Sequence, residues 1–349
     1  MEKIKLMTDS TCDLSVELVK ELDLEVVPLN VSFEDDMTAY KDGVDIHQED
    51  IVEHVAKTGK LPKTSAIAPG QYTEYFNKYI NEGYSIIFAG IGSKLSSAYQ
   101  SVLIGRNDCI DPEKVTIVDS NNLSSATGLV LLKCRDFINE GLSREEIANK
   151  IHTEIAPNLR CSFCIDRLDY MVMGGRCSAM KGFFAKVLNI KPIIVVTDGK
   201  LQIGKKPIGN LNIAIKTIYN DMMKEIKDID PKYLMVTHFL SQPCADFIKP
   251  IINKTCQFEN VYDTPAGSVI GSHCGPGTIG LLYILKTKEE APKKASTKKT
   301  PVKKEAPKKE TVKKEAPKKE TVKKEVVKKT PSKKTQEKKP SSKKVSKEE

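Results

Sequence analysis

The stretch SIIFAGIGSKLSSAYQSVLIGRN, from Ser85 to Asn107, decides the fold class. Its first eight residues are an apolar run typical of a fully buried β-strand. The residues that follow turn directly into a helix, with serines where the strand ends. Further strands are predicted on either side of it, in IKLMTDST (residues 4–11) and KVTIVDS (residues 114–120), with helices between them. This alternation of strands and helices predicts an α/β fold with a mostly parallel sheet.

A second unit of alternating strands and helices is predicted from residue 159 onward. Its strands include RCSFCID (160–166) and YLMVTHF (233–239), and several of its pieces are short and hairpin-like. We therefore expect an N-terminal α/β domain over residues 1–158 and a mixed α/β domain over residues 159–287. Together they are long enough to bury a substantial core.

Residues 288–349 are predicted to form a basic tail. From Ala291 to Glu349 the chain has 23 Lys and 8 Glu, with neither Gly nor an aromatic residue. This segment carries +15 of a chain that totals +9, so residues 1–290 carry −6. Lysine pairs recur every five residues and prolines interrupt any helix. With so few apolar groups, the tail is predicted to be disordered and to bind polyanions or anionic membranes without sequence specificity.

The rest of the composition predicts a cytoplasmic protein. The N-terminal residues MEKIKLMTDS lack the apolar region of a signal peptide, and no apolar run approaches the roughly 18 residues of a membrane span. The nine cysteines fit free thiols in a reducing compartment. Cys161 and Cys164 form one CxxC pair without a second pair or a nearby His cluster, so we expect buried thiols, no metal and no cofactor.

The glycine-rich stretch GSHCGPGTIG, residues 271–280, contains the spelling G-x-G-x-x-G of a dinucleotide-binding loop. Such a loop requires a following helix, a second strand and an acidic partner about 20 residues later. The folded chain is predicted to end near Lys286, which leaves no room for them. A catalytic pair of His273 and Cys274 is also rejected, because neighbours on an extended chain point to opposite sides. We expect a tight turn here that exposes backbone N–H groups beside one imidazole.

Hydroxyl side chains follow two other predicted strand ends. Thr64 and Ser65 lie in KTSAIAPG, and Ser93, Ser96 and Ser97 lie in GSKLSSAYQS, at the start of a helix. Each hydroxyl, taken singly, is equally well explained as an ordinary helix cap. Three polar turns at the carboxyl ends of strands nevertheless favour a shared crevice for an anionic or carbonyl oxygen.

Taken together, the order and spacing of seven motifs resemble those of the DegV family of bacterial fatty-acid-binding proteins. The motifs are TDSTCDL (8–14), KTSAIAPGQY (63–72), GSKLSSAYQS (92–101), VDS (118–120), LDYMVMGGRCS (168–178), LNIKPIIVVTDGKL (188–201) and SHCGPGTIGLLY (272–283).

This resemblance implies a long-chain fatty acid held in a tunnel between two α/β domains. It also implies a partner, a fatty acid kinase that makes the acyl phosphate for phospholipid synthesis, while the binding protein itself has no ATP site and is no enzyme. Carried over to this chain, the carboxylate contacts are Thr64, Ser96 and His273, with Ser65 and Ser97 as neighbours. Arg176 matches the arginine of the family's Gly-Gly-Arg motif and is a possible secondary contact.

The resemblance also identifies an apolar segment that can line the tunnel. It consists of Phe163, Ile165, Met171, Phe183, Phe184, Val187, Leu188 and Ile190. For any one of these side chains, an ordinary place in the core is the alternative. Burying about 14 methylene groups of a ligand at ~0.8 kcal/mol each is worth on the order of 10 kcal/mol before the losses of ligand freedom.

This chain departs from the family pattern at three places. Residues 66–68 read Ala-Ile-Ala where relatives have Gln-Pro-Ser, and residues 96–98 read Ser-Ser-Ala where relatives often have Ser-Gly-Thr. Residues 204–212, GKKPIGNLN, contain no counterpart of an arginine that many relatives carry after DGKL. Because a surface arginine suits contact with phosphate or a kinase, the last departure weakens the kinase partnership in particular.

Two other functions remain open at the level of sequence. The family's fold is shared with the substrate-binding part of dihydroxyacetone kinases, where a histidine bonds to a small ketone, so His273 is a candidate nucleophile. No adjacent Asp is present to orient it. Alternatively, the main role lies in the tail, as a protein that attaches to nucleic acid or to an anionic membrane.

Overall fold

The structure is a computed structural model that describes residues 2–34, 36–177 and 189–287. By its contacts, the chain from Met1 to Glu290 forms one compact unit. The basic tail and the predicted tunnel residues Phe183, Phe184, Val187 and Leu188 lie outside the described residues.

The β-strands, numbered along the chain, are β1 (Ile4–Asp9), β2 (Leu24–Val27), β3 (Asn30–Phe33), β4 (Asp36–Lys41), β5 (Lys63–Ser65), β6 (Ser85–Gly90), β7 (Val115–Asp119), β8 (Leu159–Cys164), β9 (Ile193–Thr197), β10 (Lys200–Ile203), β11 (Ile229–Phe239), β12 (Asn260–Pro265) and β13 (Thr278–Leu285). The α-helices are α1 (Val16–Glu21), α2 (Gln48–Thr58), α3 (Pro69–Asn81), α4 (Ala98–Asn107), α5 (Ser125–Asn139), α6 (Arg144–Lys150), α7 (Leu168–Gly174), α8 (Leu211–Lys224), α9 (Gln242–Thr255) and α10 (Ser268–Cys274).

Within the described ranges, the first half of the chain forms a four-stranded parallel sheet in the order β2-β1-β6-β7. Every residue of β6 is buried, because the sheet is covered on both faces. Ile86 and Phe88 pack with Tyr72 of α3 and Val102 of α4. Their neighbours along the strand point to the opposite face and pack with α5. The buried strand and the helix predicted after it are therefore confirmed.

The described part of the second half forms a six-stranded sheet in the order β10-β9-β8-β13-β11-β12. Its strand pairs are antiparallel except for β11 and β12, which run parallel. One face packs on α8 and α9, through residues such as Ile215 and Ile248. The other face contributes Phe163 and Leu282 to the core that contains α5. Helix α5 thus lies between the parallel sheet and the mixed sheet, and the predicted fold class is confirmed.

A small antiparallel sheet, β4-β3-β5, lies beside α10. The apolar stretch EVVPLNVSF, residues 25–33, is not one continuous strand. It forms β2 of the parallel sheet and β3 of the small sheet. The break falls at Pro28, which has no N–H to continue a ladder. Within the motif KTSAIAPG, Lys63–Ser65 form β5, with Thr64 opposite Val31.

The proposed boundary at residue 158 stays a prediction. The parallel sheet ends at Asp119 and the mixed sheet begins at Leu159, but α5 packs against both. No helix in the described ranges is long and apolar enough to cross a membrane.

Candidate functional site

A cavity of about 130 Å³ lies among β5, the loop after β6, α7 and α10. Its walls are mostly apolar, and all six residues predicted for the ligand site line it: Thr64, Ser65, Ser96, Ser97, Arg176 and His273. The apolar walls include Leu29, Ile91, Leu123, Met171, Leu201, Val269 and Ile270. Residues from both halves of the chain therefore meet at one space.

Thr64 and His273 are in direct contact at this cavity. Thr64 Oγ1 lies 2.8 Å from His273 Nε2, although 209 residues separate them in the sequence. Thr64 is fixed by the ladder between β5 and β3, and His273 lies in the last turn of α10. Two separate elements thus bring an imidazole and a hydroxyl together beside apolar walls.

His273 is neutral at physiological pH. Burial, together with the nearby Arg176 guanidinium, lowers the pKa of its imidazole to about 4. Among the described residues, the buried Nδ1 atom has no hydrogen-bond partner. Since an unpaired N–H is costlier than an unpaired acceptor, we assign the proton to Nε2, which then donates to Thr64 Oγ1. The Thr64 hydroxyl proton is left to donate to another group.

Ser96 has a matching arrangement at the start of α4. Its Oγ accepts a hydrogen bond from the backbone N–H of Ala98 at 3.1 Å. The hydroxyl oxygen thus accepts one hydrogen bond, and its proton remains free to donate. Thr64 and Ser96 together offer two hydroxyl donors, which suits an anionic or carbonyl oxygen.

The other predicted site residues lie nearer to solvent. Ser65 and Ser97 are exposed at the edge of the cavity. Ser97 precedes α4 without accepting a side-chain capping hydrogen bond. Arg176 is also exposed, and its Nη1 donates to the carbonyl of Gly174 at 2.8 Å. The role of all six residues as ligand contacts stays a prediction.

The predicted tight turn at residues 271–280 is wrong in its first half. Ser268–Cys274 form α10, and the turn begins only at Gly275, whose φ is +76°. The N–H groups of Gly275 and Gly277 donate to the carbonyls of Gly271 and Phe239, so they are not available to a ligand. The polar side chains that line this cavity, and not the amides of Gly275 and Gly277, are therefore the groups left to contact a ligand.

The extended-chain reason for rejecting a His273–Cys274 pair was also wrong, since both residues are helical. The structure supplies a different reason. Burial raises the pKa of the Cys274 thiol to about 12, so it is not a thiolate at neutral pH. The hydrogen bonds of the described residues give His273 no carboxylate partner. Among the described residues, neither the Cys274 thiol nor the His273 imidazole has a charged partner that would activate it as a nucleophile.

The CxxC cysteines are both free and buried. They lie on β8 but belong to different cores, Cys161 to the one around α5 and Cys164 to the one beneath α8 and α9. In the described part of the chain, no group of three or more His, Cys, Asp or Glu side chains is arranged to hold a metal ion.

A second, smaller cavity of about 30 Å³ lies next to the first, on the side of the mixed sheet. The two share Leu123, Ile270 and Cys274 in their walls. Of the predicted tunnel residues, Met171 lines the first cavity and Phe163 the second. Ile165 is fully buried in the core around α5. Sequence reasoning missed most of the walls, such as Leu123 and Ile270, because nothing in a single chain distinguishes them from ordinary core residues.

The geometry describes a site for a molecule with an oxygen-rich head and an apolar body. A family model for DegV, described as an uncharacterised protein family, matches residues 3–286. The chain belongs to the DegV family. A DegV domain-containing protein of Clostridium acetobutylicum is 34% identical over 287 residues, which cover 82% of this chain and 100% of that one. A DegV domain-containing protein of Caldanaerobacter subterraneus is 31% identical over 283 residues, which cover 81% of this chain and 99% of that one.

Solved structures of DegV proteins share the fold. One from Thermus thermophilus, titled for its fatty acid binding, has a TM-score of 0.73 at 25% identity and covers 81% of this chain and 100% of its own. A stearic-acid-binding protein from Eubacterium ventriosum has a TM-score of 0.71 at 25% identity. The match covers 82% of this chain and 98% of that one. The resemblance inferred from seven sequence motifs is thereby confirmed.

Proposed function

We propose that this DegV protein binds a long-chain fatty acid and performs no chemistry of its own. The carboxylate is placed at Thr64 and Ser96, with His273 as their support, and the acyl chain enters the apolar space toward the mixed sheet. The observation that carries the proposal is the pair of hydroxyls at one cavity. Thr64 Oγ1 lies 2.8 Å from His273 Nε2, and Ser96 Oγ accepts from the N–H of Ala98. The ligands named for the Thermus and Eubacterium relatives support it.

The energetics favour a ligand of this class. Removing a carboxylate from water without partners costs several kcal/mol, which charge-assisted hydrogen bonds from hydroxyls offset. These donors add no fixed positive charge, so they leave the carboxylate free to react later. A cavity of about 150 Å³ holds a molecule the size of benzene. A long acyl chain therefore requires the walls shared by the two cavities, Leu123 and Ile270 among them, to move apart on binding.

The test is a fatty acid titration of hydroxyl-deletion variants. Thr64→Val and Ser96→Ala each remove one donor without adding bulk. Each is expected to weaken oleate or palmitate binding about tenfold to a hundredfold, because a hydrogen bond to a charged group is worth about 1.5–3 kcal/mol. Binding is measured by calorimetry, and folding by thermal melts.

Ser101→Ala is the matched control, since Ser101 lies one turn further along α4 and does not line the cavity. It is expected to bind normally. Unchanged affinity in the Thr64→Val and Ser96→Ala double variant would overturn the site assignment. A wild-type protein that binds neither acid would overturn the function itself.

As a second step, we propose that the bound acid is presented to a fatty acid kinase. The exposed Arg176 near the hydroxyl pair supports this step. The segment after β10 does not, because it lacks an arginine and its Lys205 forms an ion pair with Asp221 at 2.5 Å. With a kinase catalytic subunit and ATP, the loaded protein is expected to yield acyl phosphate, and to yield none alone. Product without the kinase would contradict a pure carrier, and no product with it would remove the second step.

We also propose that the protein works in the cytoplasm and that its Lys-rich tail contacts an anionic membrane or another polyanion. Free buried thiols and the tail's +15 charge support these two points. A membrane tether suits a fatty acid carrier, since its ligand partitions into lipid.

A further inference from the structure

Helix α10, which carries His273, begins against two buried carboxylates from the first part of the chain. The backbone N–H of Gly267 donates to Asp13 Oδ1 at 2.8 Å, and that of Ser268 donates to Asp42 Oδ1 at 2.8 Å. The residue before the helix is Gly267, which has no side chain to cap the helix itself. Two of the N–H groups that every helix start leaves unpaired are thus satisfied from distant parts of the sequence.

Each carboxylate is itself held by a serine. The second oxygen of Asp42 accepts from Ser10 Oγ at 2.8 Å, and the second oxygen of Asp13 accepts from Ser124 Oγ. Asp13 and Asp42 are 5% and 4% exposed, so water does not compete for these bonds. The two carboxylates are therefore fixed in direction as well as in place.

The backbone beside the carboxylates is strained at Ser124. Asp13 has φ +47°, a left-handed conformation that Asp tolerates, whereas Ser124 has φ +57° and ψ −150°, a region populated almost only by glycine. A Cβ atom placed on Gly267 would lie 3.1 Å from Asp42 Oδ2 and 3.4 Å from Asp13 Oδ1, so both carboxylates converge on this one residue. Such strain persists only where the surrounding structure enforces it, and here it serves the contact with α10.

The small sheet β4-β3-β5 holds both the start and the end of α10. Asp42 directly follows β4, and Thr64, which bonds His273, lies on β5 of that sheet. Asn30 of β3 pairs with Lys41 on one side and with Ser65 on the other. From Ser268 to His273 the helix advances about 7.5 Å at ~1.5 Å per residue. The sheet therefore fixes both ends of a helix less than two turns long.

We propose that Asp13 and Asp42 are positioning residues of the candidate fatty acid site. They touch no ligand, but they hold the start of α10 where its last turn can place His273 Nε2 against Thr64. This inference rests on the proposed function, because it assigns the two aspartates a role in ligand affinity beyond stability.

The two carboxylates and the start of α10 stabilise each other electrostatically. Burial raises the pKa of both side chains, and the nearby charges of Asp42 and Asp9 raise the pKa of Asp13 further. The backbone N–H bonds from Gly267 and Ser268 oppose this effect, and the positive end of the helix dipole favours an anion there.

The test compares Asp13→Ala and Asp42→Ala with the conservative Asp13→Asn and Asp42→Asn variants in the full-length chain. The probes are palmitate affinity and the titration of His273 followed by NMR of its imidazole. In the alanine variants we expect affinity to fall about tenfold or more, because backbone N–H groups are left without partners. We also expect the pKa of His273 to rise from about 4 toward about 6.5 as the last turn leaves its buried place. The asparagine variants keep an oxygen for each N–H and are expected to restore both readouts.

Asp136→Ala is the matched control. Asp136 is a largely buried carboxylate that accepts from Tyr233 Oη at 2.9 Å and pairs with Lys232 at 2.8 Å. Neither partner belongs to α10. The Asp136→Ala variant is expected to have a lower melting temperature and unchanged palmitate affinity and His273 titration.

Alanine variants at Asp13 and Asp42 that behave like this control would overturn the proposal. If the alanine variants do not fold, the asparagine variants decide. A His273 pKa in them that differs from the wild-type value would also overturn the proposal. A wild type that binds no palmitate would refute the proposed function, while the His273 titration would still decide whether the aspartates hold α10.

Discussion

Gly174, the last residue of α7, lies directly against the imidazole of His273. A Cβ atom at this position would come 2.7 Å from Nδ1, and the backbone of Gly174 does not adopt a positive φ. Gly174→Ala therefore disturbs the imidazole without straining its own backbone. Because overpacking typically costs about 1–3 kcal/mol, we expect fatty acid affinity to fall roughly fivefold to a hundredfold. Calorimetric titration measures the loss.

The neighbouring Gly175 provides the control for this substitution. Its φ is +69° and nothing lies within reach of a Cβ atom, so Gly175→Asn is expected to keep affinity. In a double-mutant cycle on stability, Gly174→Ala is expected to cost nothing further once His273→Ala has removed the imidazole. Additive losses would mean that Gly174 does not act through His273.

The depressed pKa of His273 makes stability depend on pH. The folded protein holds the imidazole neutral down to about pH 4, whereas the unfolded chain binds a proton near pH 6.5. Between these values the unfolded state binds more protons, so stability is lost as pH falls through this window. The loss from this group approaches about 3 kcal/mol at its limit, at ~1.36 kcal/mol per pKa unit.

Comparing wild type with His273→Gln isolates this contribution. Glutamine does not titrate, so denaturant melts from pH 7 to pH 4.5 are expected to show the wild type losing stability faster than the variant. Parallel curves for the two proteins would contradict the buried neutral imidazole.

The sequence predicted which polar side chains meet at the site but not how they are held. Thr64, Ser96 and His273 were chosen from motifs, and the structure places all three at one cavity. Asp13 and Asp42 were not singled out, because their α10 partners lie 254 and 226 residues away in the sequence. Hydrogen bonds over such separations leave no local pattern.

Among the secondary-structure elements, α10 is one whose type sequence reasoning missed. The glycine-rich stretch 271–280 was predicted as a turn, yet Gly271 lies in the helix and is required by packing. A Cβ atom there would overlap the ring of Phe239, which is fully buried. Close approach of a helix to an aromatic ring thus explains the first glycine of the stretch 271–280.

This contact predicts the effect of Gly271→Ala. We expect the unfolding free energy to fall by about 1–3 kcal/mol through overpacking against Phe239. Fatty acid binding should weaken as well, because α10 is displaced. Adding Phe239→Leu is expected to recover part of the loss, so the double variant is more stable than the sum of the single changes predicts. Chemical denaturation of the four proteins provides the measurement, and strict additivity would contradict the contact.

At the scale of the whole molecule, the regular alternation of strands and helices was enough to predict the fold class. What it did not predict was how the two sheets are joined. Helix α5 has a nearly continuous run of buried residues because it faces the parallel sheet on one side and the mixed sheet on the other. A helix buried on both sides has no amphipathic pattern from which its partners can be read.

The charge division between body and tail gives a prediction at the same scale. Deleting residues 291–349 removes +15 charges and leaves a body of −6. The full chain is expected to bind anionic vesicles in a salt-sensitive way, and the shortened chain is not. Fatty acid affinity should be the same in both. Vesicle co-sedimentation at two salt concentrations tests the first point, and a loss of acid affinity on deletion would instead place the tail at the pocket.

The span of sequence between Thr64 and His273 also has a consequence for how the protein is made. The pair closes a loop of 209 residues, and the bond from Gly267 to Asp13 closes one of 254. Contacts this remote are slow to form, because chain entropy must be lost before they stabilise anything. During synthesis, α10 emerges from the ribosome only after most of the body is complete. At the proposed site, a nascent chain is therefore not expected to bind a fatty acid before most of the body has folded.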